Sequence, residues 1–390
     1  MEYELSIRDM EEIRQQLDID LLGVTTSEPF CGLTERLTEH REKGYESGFE
    51  HPIIEERVDP SRLVPDAKSI VAIGMAYYTD HHHTLRRPKG TRGVLSKYAW
   101  GNDYHPILRK KLEELAHAIE RKLGRAIAWH ASVDTGPLVD RAVAERAGIG
   151  WFGKNCNIIT EQFGSWVFLG QLVTDVKIEP YRPFEGSRCG DCDLCMRACP
   201  TGAIISPFTI DSSKCLAYIT QMKGIIPREF RSKMGTRIWG CDTCQVVCPS
   251  NKGITFSGHA DFVPEPELSF PELIELLHMS NKQFKRRYGH TAAAWRGLTV
   301  IKRNAIIALG NIREKRAVPQ LLPFLKDERP ELRGTTVWAL GKIGTDEAVK
   351  AIREARMNEK DPLVLQEMED VLGKNGHPGN ESIKADDEKE

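Results

Sequence analysis

Apolar side chains at Ile107, Leu108, Leu112, Leu115, Ile119 and Leu123 recur at helical spacing and stop before Gly124. That spacing sets one stripe of a helix against a core, and glycine is the residue expected just past a helix end. Residues 5–17 and 33–43 also read as helical. Residues 69–78 differ: their apolar run is nearly continuous, as in a buried strand. Residues 21–26 read as a first short strand. Residues 126–133 read as another, running through Asp134-Thr-Gly-Pro-Leu138 into a helix that lasts to Ala147. Residues 157–160 and 165–173 read as a hairpin around Gly164. Residues 79–97, rich in His, Arg, Pro and Gly, read as a loop with His81, His82 and His83 at a solvated tip. Helices and strands are mixed, so residues 1–180 are expected to form an α/β (α+β) domain, a sheet covered by helices.

Beyond residue 290 the pattern repeats. Arg303-Asn-Ala-Ile-Ile-Ala-Leu-Gly-Asn-Ile312 aligns with Gly334-Thr-Thr-Val-Trp-Ala-Leu-Gly-Lys-Ile343, a period of 31 residues. Such a period with A-L-G-x-I helices predicts HEAT-like helical pairs over 261–375. Two copies are too few for a free solenoid and must pack on the preceding domain. Residues 181–260 are loop-rich and short of core, and 376–390 are polar, acidic and expected to be disordered.

Cysteine spacing changes the picture of that middle segment. Cys189, Cys192, Cys195 and Cys199-Pro200 follow the bacterial-ferredoxin run for a cubane iron–sulfur cluster, and Cys241, Cys244 and Cys248-Pro249 form a second run, with Cys215 between them. In two-cluster ferredoxins the cysteine before the proline serves the other cluster. That rule assigns Cys189, Cys192, Cys195 and Cys248 to one 4Fe-4S cluster and Cys199, Cys215, Cys241 and Cys244 to the second. Structural zinc is the rival, but it requires neither the Cys-Pro endings nor the crosswise division. Thin in core, the segment is expected to fold only with metal. Cys31 and Cys156 fall outside this division and are expected to be buried thiols.

The 54 basic and 56 acidic residues nearly balance, so net charge names no partner. No run of eighteen apolar residues occurs and the first residues are acidic, which argues against a membrane span or a secretory signal. A cytoplasmic location is the expectation. Local charge says more. Residues 271–330 hold 12 Lys and Arg against 5 Asp and Glu, a net of 12 − 5 = +7, interleaved with Phe284, Tyr288 and Trp295. Residues 221–240 add five basic residues against Glu229 alone. This one-signed excess is the footprint of a polyanion, and nucleic acid is favoured over a merely solvated helix face.

Val133-Asp-Thr-Gly-Pro-Leu138, Asp140-Arg-Ala-Val-Ala-Glu-Arg-Ala-Gly-Ile-Gly150, Lys154-Asn-Cys156, Tyr98–His105, Gly240–Pro249 and Trp295-Arg-Gly297 resemble the signature of the epoxyqueuosine reductase family, from about residue 5 to 355. The resemblance implies cobalamin in the N-terminal domain, two 4Fe-4S clusters and a C-terminal HEAT-like module. It also implies that the substrate is the epoxide of epoxyqueuosine at the wobble position of a tRNA anticodon, and the product queuosine. It makes Asp134 the proton donor, which near neutral pH requires a pKa raised by burial. The alternative role for Asp134 is to cap the helix expected near Pro137.

Cobalamin contacts implied in the same way are Arg57, Lys97, Asp134, Asn157, Ile158, Leu169, Met222, Cys241 and Asp242. No D-x-H-x-x-G segment occurs, so cobalt is expected without a histidine ligand, and His105 and His130 are read as structural. The tRNA contacts expected are Lys223, Arg231, Lys282, Lys285, Arg286, Arg296 and Arg303. A monomer supplied by a ferredoxin- or flavodoxin-like electron donor completes the reading. Its rivals are a corrinoid iron–sulfur reductase of small halogenated or epoxide compounds, and a non-enzymatic iron–sulfur electron carrier.

Overall fold

Four of the apolar runs pair into one antiparallel sheet. In the computed structural model, which describes residues 3–184 and 186–373, Leu21–Thr26 (β1), Ser69–Ala76 (β2), Trp129–Ser132 (β3) and Val167–Thr174 (β4) lie in the order β1-β2-β4-β3. Leu21 stands opposite Gly74, while Ser69 and Trp129 flank Thr174 on its two sides. All of β2 is buried, because alternate side chains enter two cores. Val71, Ile73 and Met75 meet Met10 and Ile13 of the helix Ile7–Gln16 (α1), and Leu108, Leu112 and Leu115 of Tyr104–Leu123 (α2). Ile70 and Ala72 face Val143 and Ala144 of Asp140–Arg146 (α3), with Phe30 and Val58. Asp103 caps α2 by accepting the His105 backbone N–H, and Gly124 ends it at φ +67°.

Two local expectations are corrected. Ile158–Ile159 pairs with Trp151–Phe152 rather than with β4. β2 pairs along all of β4 and β3 along Gln171–Thr174, and a bridge from Thr160 to Gly164 marks the turn. His82 is not at a solvated tip. Thr79 caps the short helix Asp80–Thr84, which leaves His81 and His83 exposed but His82 only 3% exposed and stacked on Trp100. Burial pulls the His82 pKa down to about 4.

The repeat motifs become the helices Leu298–Asn311 (α4) and Pro330–Ile343 (α5), followed by Asp346–Arg356 (α6) and Pro362–Leu372 (α7). A Cβ on Gly310 would stand 2.9 Å from Ala339 Cα, so this glycine permits the close approach of α4 to α5. These helices share one core with Ile219, Ile226, Met234 and Trp239, and with Leu95, Ala99 and Trp100 from the N-terminal part. No described helix is long and apolar enough to cross a membrane. The segment 376–390, expected to be disordered, lies outside the described residues.

Candidate active site and cluster region

The seven cysteines of the two runs and Cys215 gather in two neighbouring groups. Cys189, Cys192, Cys195 and Cys248 line one small cavity with Lys154, Asn155, Ile159 and Leu194. Burial first, then Cys189, Cys248 and Cys192, pushes the Cys195 thiol up. Cys215 is pushed up to about 11 by burial, with Cys241 and Cys199 adding to it. Cys244 is driven well above its ordinary value by burial, Cys215 and Cys241, and it also feels Cys195 of the other group. Thiols crowded in this way ionise together only when a cationic centre compensates them. Among the described residues no three His, Cys, Asp or Glu side chains are set to hold a single metal ion. Cys199 and Cys248 adopt extended conformations, as residues before proline do, and this turns the chain out of each short cysteine-bearing segment. Cys156 is buried as expected, but Cys31 is exposed.

Asp134 follows the end of β3 at φ +56°, a left-handed conformation that Asp tolerates better than most residues. It does not cap α3, whose N-cap is Val139. Instead its carboxylate, 63% exposed, meets the first turn of α2. The Tyr104 hydroxyl donates to Asp134 Oδ2 at 2.8 Å, and His105 Nε2 stands 3.5 Å from the same oxygen. On the imidazole's other side, Nδ1 lies 2.7 Å from Asp103 Oδ1. Tyr104 is fixed by stacking on Phe168, with ring centroids 4.2 Å apart.

This environment reverses the expected pKa. Hydrogen bonding from His105 lowers the Asp134 value, burial opposes it, and Tyr104 lowers it further. Burial also pulls His105 down, but the Asp103 and Asp134 carboxylates outweigh it and raise His105 to about 9. Its two carboxylate neighbours thus favour the protonated form of His105 beside Asp134. His130 remains a strand residue opposite Val173, lowered by burial. The raised carboxyl is Asp140, pushed to about 8 by burial and by Asp134. Its Oδ1 is buried without a partner. Tyr104 and Asp140 lie inside the signature segments 98–105 and 140–150, but no sequence pattern gave either of them a role at the site.

Several of the expected cofactor contacts come together. Asp242 Oδ1 accepts the Ser96 hydroxyl, and its Oδ2 accepts the Lys97 backbone N–H at 2.9 Å. A Cβ on Gly240, at φ +67°, would stand 2.5 Å from Ser96 Cβ, so this glycine lets residues 240–242 lie against residues 96–98. The Lys97 ammonium is 5.5 Å from the Trp100 and Trp166 rings. Cys241 and Met222 are half-buried against the large core, Met222 with its carbonyl held by Arg303. Arg57 is paired with Glu46 at 3.2 Å and lies near Arg141. The Asn157 backbone donates to Asn155 Oδ1, and Leu169 is half-buried against the second core. Ile158 is 3% exposed, so its side chain belongs to that core. Arg141 ties α3 to the following loop by donating to the Cys156 carbonyl at 2.6 Å. On these two segments Asp140 Oδ1 and Asn155 Nδ2, an acceptor and a donor, are both buried without partners. They suit the amide-fringed rim of a corrin.

The basic surface is smaller than the sequence suggested. Lys223, Lys282, Lys285 and Arg286 are exposed, and neither they nor Arg296 form an ion pair with a described residue. Arg231 and Arg303 are corrected: each is 1% exposed and faces inward. Arg231 pairs with Glu367 at 2.5 Å and donates to the Ile226 carbonyl. Arg303 donates to the carbonyls of Met222 and Gly224 at 2.6 and 2.7 Å and to Asn304 Oδ1, so it ties the cluster segment to α4. Arg303→Met should cost about 3 kcal/mol, because it strands buried carbonyls. Urea unfolding of the cluster-loaded protein measures this, and an unchanged midpoint overturns it.

Family models match along the chain: epoxyqueuosine reductase QueG, DUF1730 at residues 57–135, a 4Fe-4S double cluster binding domain at 188–251, and HEAT repeats at 298–373. The chain is 47% identical to an epoxyqueuosine reductase of Bacillus cereus, over 94% of this chain and 97% of the relative. It is 44% identical to that of Bacillus subtilis, over 93% and 94%. It resembles a solved epoxyqueuosine reductase bound to an epoxyqueuosine-modified tRNA-Tyr stem loop, with TM-score 0.89 and 43% identity over 94% and 97% of the two chains. A Bacillus subtilis structure, TM-score 0.88 and 42% identity over 93% and 98%, is described as having its Asp134 catalytic loop swung out of the active site.

Proposed function

This chain belongs to the epoxyqueuosine reductase family, and from that premise we propose how its own residues reduce epoxyqueuosine in tRNA to queuosine. The observation that carries the proposal is the Asp134 carboxylate held between Tyr104 and His105. Loss of the epoxide oxygen as water takes two electrons and two protons. When bound, cobalamin supplies a strongly reducing, carbon-directed nucleophile for the C–O bonds. Residues 188–251 form a 4Fe-4S double-cluster domain. The proposed ligands are Cys189, Cys192, Cys195 and Cys248 for one cluster, and Cys199, Cys215, Cys241 and Cys244 for the other. Contact between residues 96–98 and 240–242 supports a corrin site where the cluster region meets the N-terminal part, with Lys97, Asp242 and Met222 at the junction.

In this proposal Asp134 passes a proton to the departing oxygen. Its own carboxyl is too acidic to stay protonated at neutral pH, so His105, raised to about 9, holds the proton that reloads it. The sign is fixed by that shift: His105 is charged below about pH 9 and loses its proton as pH rises through it. Turnover should hold up to that pH and then fall, and His105→Gln should remove this limb and lower turnover. Superimposable pH–rate profiles for the two proteins would overturn the role of His105.

The exposed Lys223, Lys282, Lys285 and Arg286, with the half-buried Arg296, would hold the anticodon stem-loop through its phosphates, which makes binding weaken steeply with salt. The proposed division is 1–180 for the corrin, 181–260 for the clusters and 261–375 for tRNA. We place the protein in the cytoplasm as a monomer fed by a ferredoxin- or flavodoxin-like donor. A carrier of electrons alone, or a reductase of small molecules, has no use for this basic surface. The deciding experiment incubates the cobalamin- and cluster-loaded protein, a reductant and an epoxyqueuosine stem-loop, then reads the nucleosides by mass. Absence of queuosine overturns the proposal.

A further inference from the structure

Phe49 and Trp295 are exposed aromatic rings that the reaction scheme leaves without a task, and they flank Arg296. Trp295 is 56% exposed and Phe49 43%, and their ring centroids lie 5.6 Å apart, edge to face. The Arg296 guanidinium stands 3.8 Å from the Trp295 ring centroid and 4.6 Å from that of Phe49. It makes no hydrogen bond or ion pair with a described residue, and its Nε is buried without a partner. The two rings flank this fork and hold it in place, so its Nη groups are set for an acceptor outside the chain.

The patch is wired to the reaction site. Trp295 Nε1 donates to Gln221 Oε1 at 3.0 Å, and Gln221 Nε2 donates to the Tyr98 hydroxyl at 3.3 Å. Tyr98 packs edge-on against Tyr104, whose hydroxyl donates to Asp134. Three side chains therefore separate the open indole from the proposed proton donor. The indole N–H is already engaged, so what the ring offers a ligand is its π surface.

We propose that this patch is a stacking platform for one unpaired nucleobase of the anticodon loop, beside the nucleotide whose base enters the reaction site, with Arg296 donating to the adjoining phosphate. The inference rests on the tRNA reading above. Turning one base out of a loop removes stacking from its neighbour, and an aromatic face replaces it for any base. Arg296 and nearby Lys223, both without acidic partners, favour a polyanion over a protein segment at this face.

The test measures binding of the cobalamin- and cluster-loaded protein to an anticodon stem-loop, and to a set in which each loop position in turn is abasic. For the native protein one abasic position flanking the wobble nucleotide should weaken binding about tenfold to hundredfold. In Trp295→Ala the intact loop should bind with the same loss, and that abasic position should cost nothing further, while Trp295→Phe restores part of the effect. Unchanged cluster absorbance establishes that the variant is folded. If Trp295→Ala binds every loop like the native protein, or if its loss is equal at all abasic positions, the platform falls and the tRNA reading stands. Native protein that binds no stem-loop overturns both, and Trp295 then belongs to a protein contact.

Discussion

Asp134→Asn should lower turnover of epoxyqueuosine stem-loop by about 10²- to 10⁴-fold, the range expected when a positioned proton donor is removed, while both clusters, the fold and stem-loop binding persist. The substitution keeps the side chain's shape, and the amide oxygen can still accept the Tyr104 hydroxyl. The side chain is largely exposed and lies outside the described hydrophobic cores, so stability has little to lose. What disappears is the carboxyl that can carry a proton to the leaving oxygen. His105 keeps Asp103 as a partner and so remains in place, but it has no group through which to pass its proton. Single-turnover nucleoside analysis, with iron counted and cobalamin absorbance recorded, separates loss of chemistry from loss of cofactor. A variant that turns over like the native protein would remove Asp134 from the mechanism.

Anaerobic removal of iron should abolish turnover and unfold residues 188–215 and 241–251, while 216–239 and 298–373 keep their protection. The difference follows from the cores. The buried cluster that contains Cys248 holds only Trp151 and Ile159 besides, with Phe184 and Cys189 packed against it, and residues 188–215 add no member to the large cores among the described residues. Ile219, Ile226, Met234 and Trp239 sit in the large core shared with α4, α5 and α7, and the buried Arg303 carbonyl clamp fastens the same stretch to α4. Metal binding is therefore folding energy for the first set of residues and not for the second. Hydrogen exchange followed by mass spectrometry measures both sets in one experiment. Protection retained over 188–215 after complete iron loss would show that packing alone holds the cysteine loops.

The two forms of carboxyl chemistry show where sequence reading reaches and where it stops. Asp134 could be singled out because its neighbours in the chain carry a family signature, but its ionisation could not. The groups that set it, Tyr104 and His105, come from the start of α2, thirty residues earlier in the case of Tyr104, and no local pattern states that this helix start faces the end of β3. The raised pKa expected of Asp134 falls on Asp140 for the same reason: burial and the field of a neighbouring charge belong to the assembled fold. Arg231 and Arg303 counted as surface charge in the sequence and became internal clamps, because a charge run does not reveal which side chain finds buried carbonyls.

What the chain's order alone determined was whatever has a short period: the α2 stripe, the buried run of β2, the repeated A-L-G helices, and the two cysteine runs of a 4Fe-4S double-cluster domain. Helical phase and thiolate spacing are imposed by bonds between near neighbours, so they survive without a fold. Only the tertiary structure decided that β4 lies between β2 and β3, that Asp242 meets Lys97, and that an exposed tryptophan connects through Gln221 and Tyr98 toward Asp134. Those are meetings of residues far apart in the chain, selected by which faces can be buried together rather than by any local preference.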